Sequence, residues 1–174
     1  MRKFVPIIVI LLLSDNHLFA QNQFEVLTER KGEKTFKGII SREALENDTS
    51  FKWYAQGQKT YTPNAVALAA LKQYGDSIQI IAFMGTWCED SHFIIPRFYS
   101  LLDAANFSKD KISLIGVDRS KKTLSHLTEA LDIKNVPTLM VMKNGKELGR
   151  VVEYGKTGQW DKEFGEIINA AFTK

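Results

Sequence analysis

The chain has 174 residues, a formal charge of +3 and one cysteine. That length suits one ordinary domain with a sizeable core. The charge is too small, and Lys/Arg stripes with interleaved aromatics too absent, to support a nucleic-acid-binding reading. A single cysteine excludes an internal disulfide framework and leaves a free or intermolecularly paired thiol.

The first residues read as an address. Met1-Arg2-Lys3 is basic, Phe4-Val5-Pro6-Ile7-Ile8-Val9-Ile10-Leu11-Leu12-Leu13 is apolar, and Leu18-Phe19-Ala20 leads to Gln21. This order predicts a secretory signal peptide over 1–20, cleaved near Ala20/Gln21. The apolar run is shorter than the roughly 20 residues a membrane span needs, so no stable span is expected after cleavage. A retained N-terminal anchor is the other reading, since Leu18 is not ideal before the break. Cleavage would remove Arg2, Lys3 and Asp15, taking the charge from +3 to +2. The expected location is periplasmic or secreted.

Residues 21–61 form an extension expected to pack on the core. Phe24-Glu25-Val26-Leu27-Thr28 alternates weakly, and Lys31-Gly32-Glu33-Lys34 reads as a turn before 35–40. Ser41-Arg42-Glu43-Ala44-Leu45 suggests a helical turn, and Phe51-Lys52-Trp53-Tyr54 an extended piece. Trp53, Tyr54 and Tyr61 read as packing residues, with a partner-binding surface as the alternative.

A domain is expected over 62–174. Thr62-Pro63 predicts a helix start, with a capping hydroxyl and proline at the first helical position. Val66, Leu68, Ala69 and Leu71 form its buried face. Ile78-Gln79-Ile80-Ile81-Ala82-Phe83 is a short apolar run of buried-strand type. After Gly85-Thr86-Trp87-Cys88-Glu89-Asp90-Ser91, helical spacing resumes at Phe93, Ile94, Phe98, Leu101 and Leu102, with Pro96 expected to kink the helix. The cysteine therefore sits at a strand-to-helix turn, beside unpaired backbone N–H groups and the positive end of the helix dipole. That setting favours thiolate. A second strand is predicted over 112–117, and Leu124, Leu127 and Leu131 mark a further helix. Asn144-Gly145 predicts a hairpin joining 138–142 to 147–152. Trp160, Phe164, Ile167, Ile168 and Phe172 line a closing helix. The pattern is α/β, a mixed sheet with helices on both faces.

Trp87-Cys88-Glu89-Asp90-Ser91 with Pro96, and Val136-Pro137-Thr138 ahead of the hairpin, resemble the two signature segments of thioredoxin-fold proteins. The likeness covers about 63–172 and is nearest to exported single-cysteine members with a Trp-Cys-x-Asp-Ser site. It implies a cis bond before Pro137, a groove facing Cys88 that Trp87 covers, and substrate backbone held by Val136 and Thr138. The bland alternative for Pro137 is a loop proline before an edge strand. Ser91 replaces the usual second cysteine, and Ala82 stands where thioredoxins usually bury an aspartate.

Thiol–disulfide exchange needs a thiolate to attack a disulfide sulfur. Cys88 can begin that reaction, but a Ser91 hydroxyl cannot finish it, so turnover must be monothiol. The helix end, Ser91 and a protonated His92 would support the thiolate, whereas Glu89 and Asp90 would oppose it; the balance stays open. The simpler reading of the two acids is dipole complementation, with Thr86-x-x-Glu89 as a capping box. His92 reads first as a solvated helix residue. Cys88, His92 and Asp90 are too few for a typical zinc site, and Trp87-Cys88-Glu89-Asp90 does not resemble the motif of cluster-sharing glutaredoxins. No cofactor is expected. The expected partners are extracytoplasmic protein thiols and disulfides or small thiols. The alternative functions are a binding or adaptor module without turnover, and a disulfide isomerase.

Overall fold

The computed structural model describes residues 23–28 and 32–173. The signal-peptide expectation for 1–20, and Lys31 of the expected turn, lie outside the described residues.

Six strands form one sheet in the order β1-β2-β4-β3-β5-β6. They are β1 (Phe24–Thr28), β2 (Lys34–Ile40), β3 (Gln79–Met84), β4 (Ile112–Gly116), β5 (Thr138–Lys143) and β6 (Lys146–Val152). Strands β3 and β4 pair in parallel, and every other pairing is antiparallel. The helices are α1 (Arg42–Asn47), α2 (Lys52–Lys59), α3 (Ala65–Tyr74), α4 (Glu89–Ala104), α5 (Leu127–Ala130) and α6 (Trp160–Phe172).

Side chains on a strand alternate between its faces, and the central strands use both. Ile80, Ala82 and Met84 of β3 enter a large core with Ile94, Ile95 and Phe98 of α4, Leu71 of α3 and Phe164 and Ile168 of α6. Phe83 of β3 enters a smaller core with Ile115, Val117, Ile133, Val136 and Met140, against which Leu127 and Leu131 pack. The result is a thioredoxin-like α/β fold with a mixed sheet between helices. The strand-helix turn carrying Cys88 emerges from its middle.

The extension adds the β1–β2 hairpin to the sheet edge through antiparallel pairing of β2 with β4. Its α1 is tied to α4 by a two-pronged ion pair, Arg42 Nη1 to Asp103 Oδ1 at 2.7 Å and Nη2 to Oδ2 at 2.8 Å. Planar guanidinium and carboxylate groups match in that geometry.

Four local expectations are corrected. Residues 52–59 are helical, not extended: Phe51, Tyr54 and Gly57 are buried at a spacing of three, and Tyr54 and Gly57 meet Tyr99 and Pro96 of α4. Helix α3 begins at Ala65, two residues later than expected, because Asn64 is its cap and accepts from the Val66 N–H at 2.9 Å. The helix expected through Leu124, Leu127 and Leu131 is interrupted by left-handed Ser125 (φ 56°) and His126 (φ 52°), so that only Leu127–Ala130 is α-helical. Thr86 caps nothing. Its hydroxyl donates to the Lys34 carbonyl at 2.9 Å and accepts from the Phe36 N–H at 3.1 Å, stitching the turn that carries Cys88 (the active turn of the expected chemistry) to β2. The hairpin is as expected, with Asn144 and Gly145 at φ 50° and 75°, a turn geometry that asparagine and glycine tolerate.

Candidate functional site

Cys88 is the N-cap residue of α4, in extended conformation, and its side chain makes no capping bond. The N–H groups of the first helical turn have no partner within the helix. The sulfur is half-buried and donates to the Val136 carbonyl oxygen at 3.3 Å. That carbonyl belongs to the Val136-Pro137 peptide bond, which is cis. Across 48 residues of sequence, the start of α4 and the loop before β5 thus meet at one sulfur atom. A neutral thiol has a proton for that carbonyl. An ionised sulfur has none, and is drawn instead towards the N–H groups of α4, so the two forms favour different partners in one small space.

Trp87 precedes the sulfur and is half-buried against the smaller core. Its indole N–H donates to the Val117 carbonyl at 3.0 Å, and the Arg119 guanidinium lies over its ring at 5.5 Å. Ser91 is fully buried. Its oxygen accepts from the Gly85 N–H at 3.2 Å, so it closes the turn from inside. Val136 and Pro137 are buried beside Cys88, and the Thr138 hydroxyl turns back to the Asn135 carbonyl at 2.7 Å. Glu89 is exposed and Asp90 half-buried on the first turn of α4.

His92 faces the other way. Its ring stacks on Trp53 with centroids 4.3 Å apart, and Nε2 lies 2.7 Å from the Thr86 carbonyl, which makes Nε2 the protonated nitrogen. His92 binds the extension to the active turn and has no hydrogen bond to the Cys88 sulfur. A cavity of about 290 Å³ lies along this seam, lined among others by Lys34, Trp53, Trp87 and His92.

The thioredoxin family model matches residues 66–163, more than half of the chain. This chain belongs to the thioredoxin family.

It is similar to thioredoxin of Gallus gallus, 34% identical over 80 residues that cover 46% of this chain and 70% of that protein. Thioredoxin of Ictalurus punctatus is 32% identical over 80 residues, covering 46% and 71%. The crystal structure of a Pseudomonas aeruginosa protein of unknown function superposes with a TM-score of 0.51 at 12% identity, covering 74% of this chain and 88% of that one. That likeness concerns the fold.

Within this thioredoxin-family chain, Ala82 is fully buried in the large core among apolar neighbours. The structure also brings up a residue that sequence reading missed. Tyr154, 37% exposed, follows β6 and packs on Phe93 of α4 with ring centroids 5.6 Å apart. Its hydroxyl is held above the ordinary tyrosine range by partial burial, then by the Asp90 carboxylate, with a smaller push from Cys88. The preceding residue, left-handed Glu153, donates its N–H to the Pro137 carbonyl at 2.7 Å, which fixes this turn to the cis-proline loop. No periodicity marks such a residue.

Proposed function

We propose that this thioredoxin-family protein is exported and exchanges disulfides through Cys88 alone. Its substrates are extracytoplasmic protein disulfides and small disulfides. One observation carries the reading: Cys88 Sγ at the mouth of α4, 3.3 Å from the carbonyl that precedes cis Pro137. There the thiol is half-buried, within reach of a partner and beside free helical N–H groups.

The chemistry balances in two exchanges. The Cys88 thiolate attacks one sulfur of a disulfide, forming a Cys88–substrate mixed disulfide and expelling the other sulfur as thiolate. A thiolate from outside the chain then attacks the substrate sulfur of that mixed disulfide. A new disulfide forms, and Cys88 leaves as thiolate. Ser91 takes no part, because its hydroxyl is not a sulfur nucleophile and already accepts from Gly85.

Incubation of the purified protein with a glutathione mixed disulfide and reduced glutathione tests the reading. Turnover should depend on Cys88, and a wild-type rate no greater than that of Cys88→Ala would overturn it. Ser91 buried as a turn-closing hydroxyl and Ala82 in an apolar core favour a second reading, a binding module without turnover. Under that reading Cys88→Ala retains partner binding in full.

A further inference from the structure

Large side chains that a folded chain leaves in water are informative when they cluster beside a reactive group. Among the described residues, five large hydrophobic side chains are exposed. Val26 and Ile39 lie on β1 and β2 at the sheet edge, but Phe93 (42% exposed), Val152 and Tyr154 (37% each) lie around the active turn. Phe93 and Tyr154 touch each other, and the Arg97 guanidinium carbon lies over the Phe93 ring, 3.7 Å from its centroid. Arg97 is committed locally: Nη1 donates to the Phe93 carbonyl at 2.6 Å and Nη2 to the Thr60 hydroxyl at 3.2 Å. It holds one side of the Phe93 ring and leaves the aromatic pair as a stiff wall.

That wall is anchored beside the sulfur. Val152 pairs with Thr138 of β5, and Glu153 donates to the Pro137 carbonyl, so the turn carrying Tyr154 is hydrogen-bonded to the cis-proline loop. Its rim is acidic. Glu89 and Asp90 open α4, Glu153 adjoins Tyr154, and none of the three has an ion-pair partner among the described residues. This contrasts with the chain as a whole, which carries a formal charge of +3.

We propose that Phe93 and Tyr154 form a specificity wall for protein disulfides whose reacting cysteine lies beside a large apolar residue and a lysine or arginine. The apolar side chain covers the two rings and removes them from water. The basic side chain meets Glu89, Asp90 and Glu153, charges that steer approach and set partner choice. This rests on Cys88 as the exchanging thiol and adds which partners it selects.

Two peptide–glutathione mixed disulfides of equal length test it, one with Phe and Lys beside the cysteine, the other with Ser and Glu. Rates are divided by the rate with 2-hydroxyethyl disulfide, which has neither an apolar side chain to cover the rings nor a charge. The wild type should favour the Phe/Lys peptide by about 10-fold or more, the scale at which an apolar contact discriminates. The double variant Phe93→Ala/Tyr154→Ala should remove the apolar share of that ratio and leave the share due to charge, which added salt should lower. A wild-type ratio near one overturns the proposal. Cys88→Ala separates recognition from chemistry. It should bind the Phe/Lys peptide, with its cysteine S-methylated, more tightly than the Ser/Glu peptide by a similar factor. Equal binding overturns the wall whatever Cys88 turns over, while preferential binding without turnover by the wild type overturns only the exchange reading.

Discussion

His92 lies almost parallel to Trp53, with ring planes 15° apart and centroids separated by 4.3 Å. The contact joins the helix that begins at Cys88 to the extension that precedes the family-matched segment. Thr86 adds two hydrogen bonds to β2 on the same side. The extension is therefore a structural wall of the active turn.

A double-mutant cycle on Trp53→Ala and His92→Ala measures that seam. Stacked rings add about 0.5–1.5 kcal/mol beyond their burial, and we expect a coupling energy of that size. Strict additivity in denaturant unfolding would mean that the two rings do not support each other.

Gly57 gives a test of α2 against α4. A Cβ there would lie 2.4 Å from Pro96 Cγ, and a proline ring has little freedom to retreat. Overpacking costs about 1–3 kcal/mol, whereas replacing glycine by alanine in a helix gains about 0.8–1.0 kcal/mol. Gly57→Ala should therefore lower the urea midpoint at unchanged slope. A midpoint equal to or above wild type would contradict this packing.

That same helix shows where the sequence was silent. The strand into Cys88, the helix after it and the Asn144-Gly145 hairpin were legible because their signals are local: an apolar run, a period near 3.6, a turn dipeptide. Phe51-Lys52-Trp53-Tyr54 is rich in aromatics that suit a strand equally well, and only the face offered by Pro96 and its neighbours makes it helical. Thr86 fits a capping box on spacing alone, yet its hydroxyl is taken by β2, 50 residues away along the chain. The Cys88–Val136 and Phe93–Tyr154 pairs are likewise long-range. Family likeness anticipated the first of them, and nothing in the sequence anticipated the second.

Asp118 follows β4 and binds β2. Burial opposes its ionisation, but Lys37 Nζ at 2.9 Å and the N–H groups of Lys122 and Ser120, both at 2.9 Å, outweigh that and hold the carboxyl below the usual range. Lys37 is correspondingly raised, chiefly by its bond to Asp118. A lowered carboxyl contributes stability that is complete above its unfolded value and lost as pH falls through the folded one; a raised lysine contributes below its unfolded value and loses it at higher pH. The pair should therefore stabilise most between about pH 4 and pH 10. Asp118→Asn should cost about 1–2 kcal/mol at pH 7. Melting temperatures of the two proteins should converge as pH falls below the ordinary carboxylate range and Asp118 takes up its proton. A gap that does not narrow at all in acid would contradict the assignment.

Ser91→Cys places a second thiol one helical turn from Cys88, where Ser91 is now buried under the turn. Oxidation of this variant should consume both thiols within one chain, and its mixed disulfides should discharge without added thiol. Two thiols still titratable after oxidation would show that this turn cannot close a disulfide.

The most direct measurement is intact-mass analysis of the native protein after brief exposure to 2-hydroxyethyl disulfide. The account predicts one adduct per chain, on Cys88, removed by reduced glutathione with recovery of the free thiol. A Cys88 that stays unmodified in the native protein, while the denatured chain is modified under the same conditions, would contradict it.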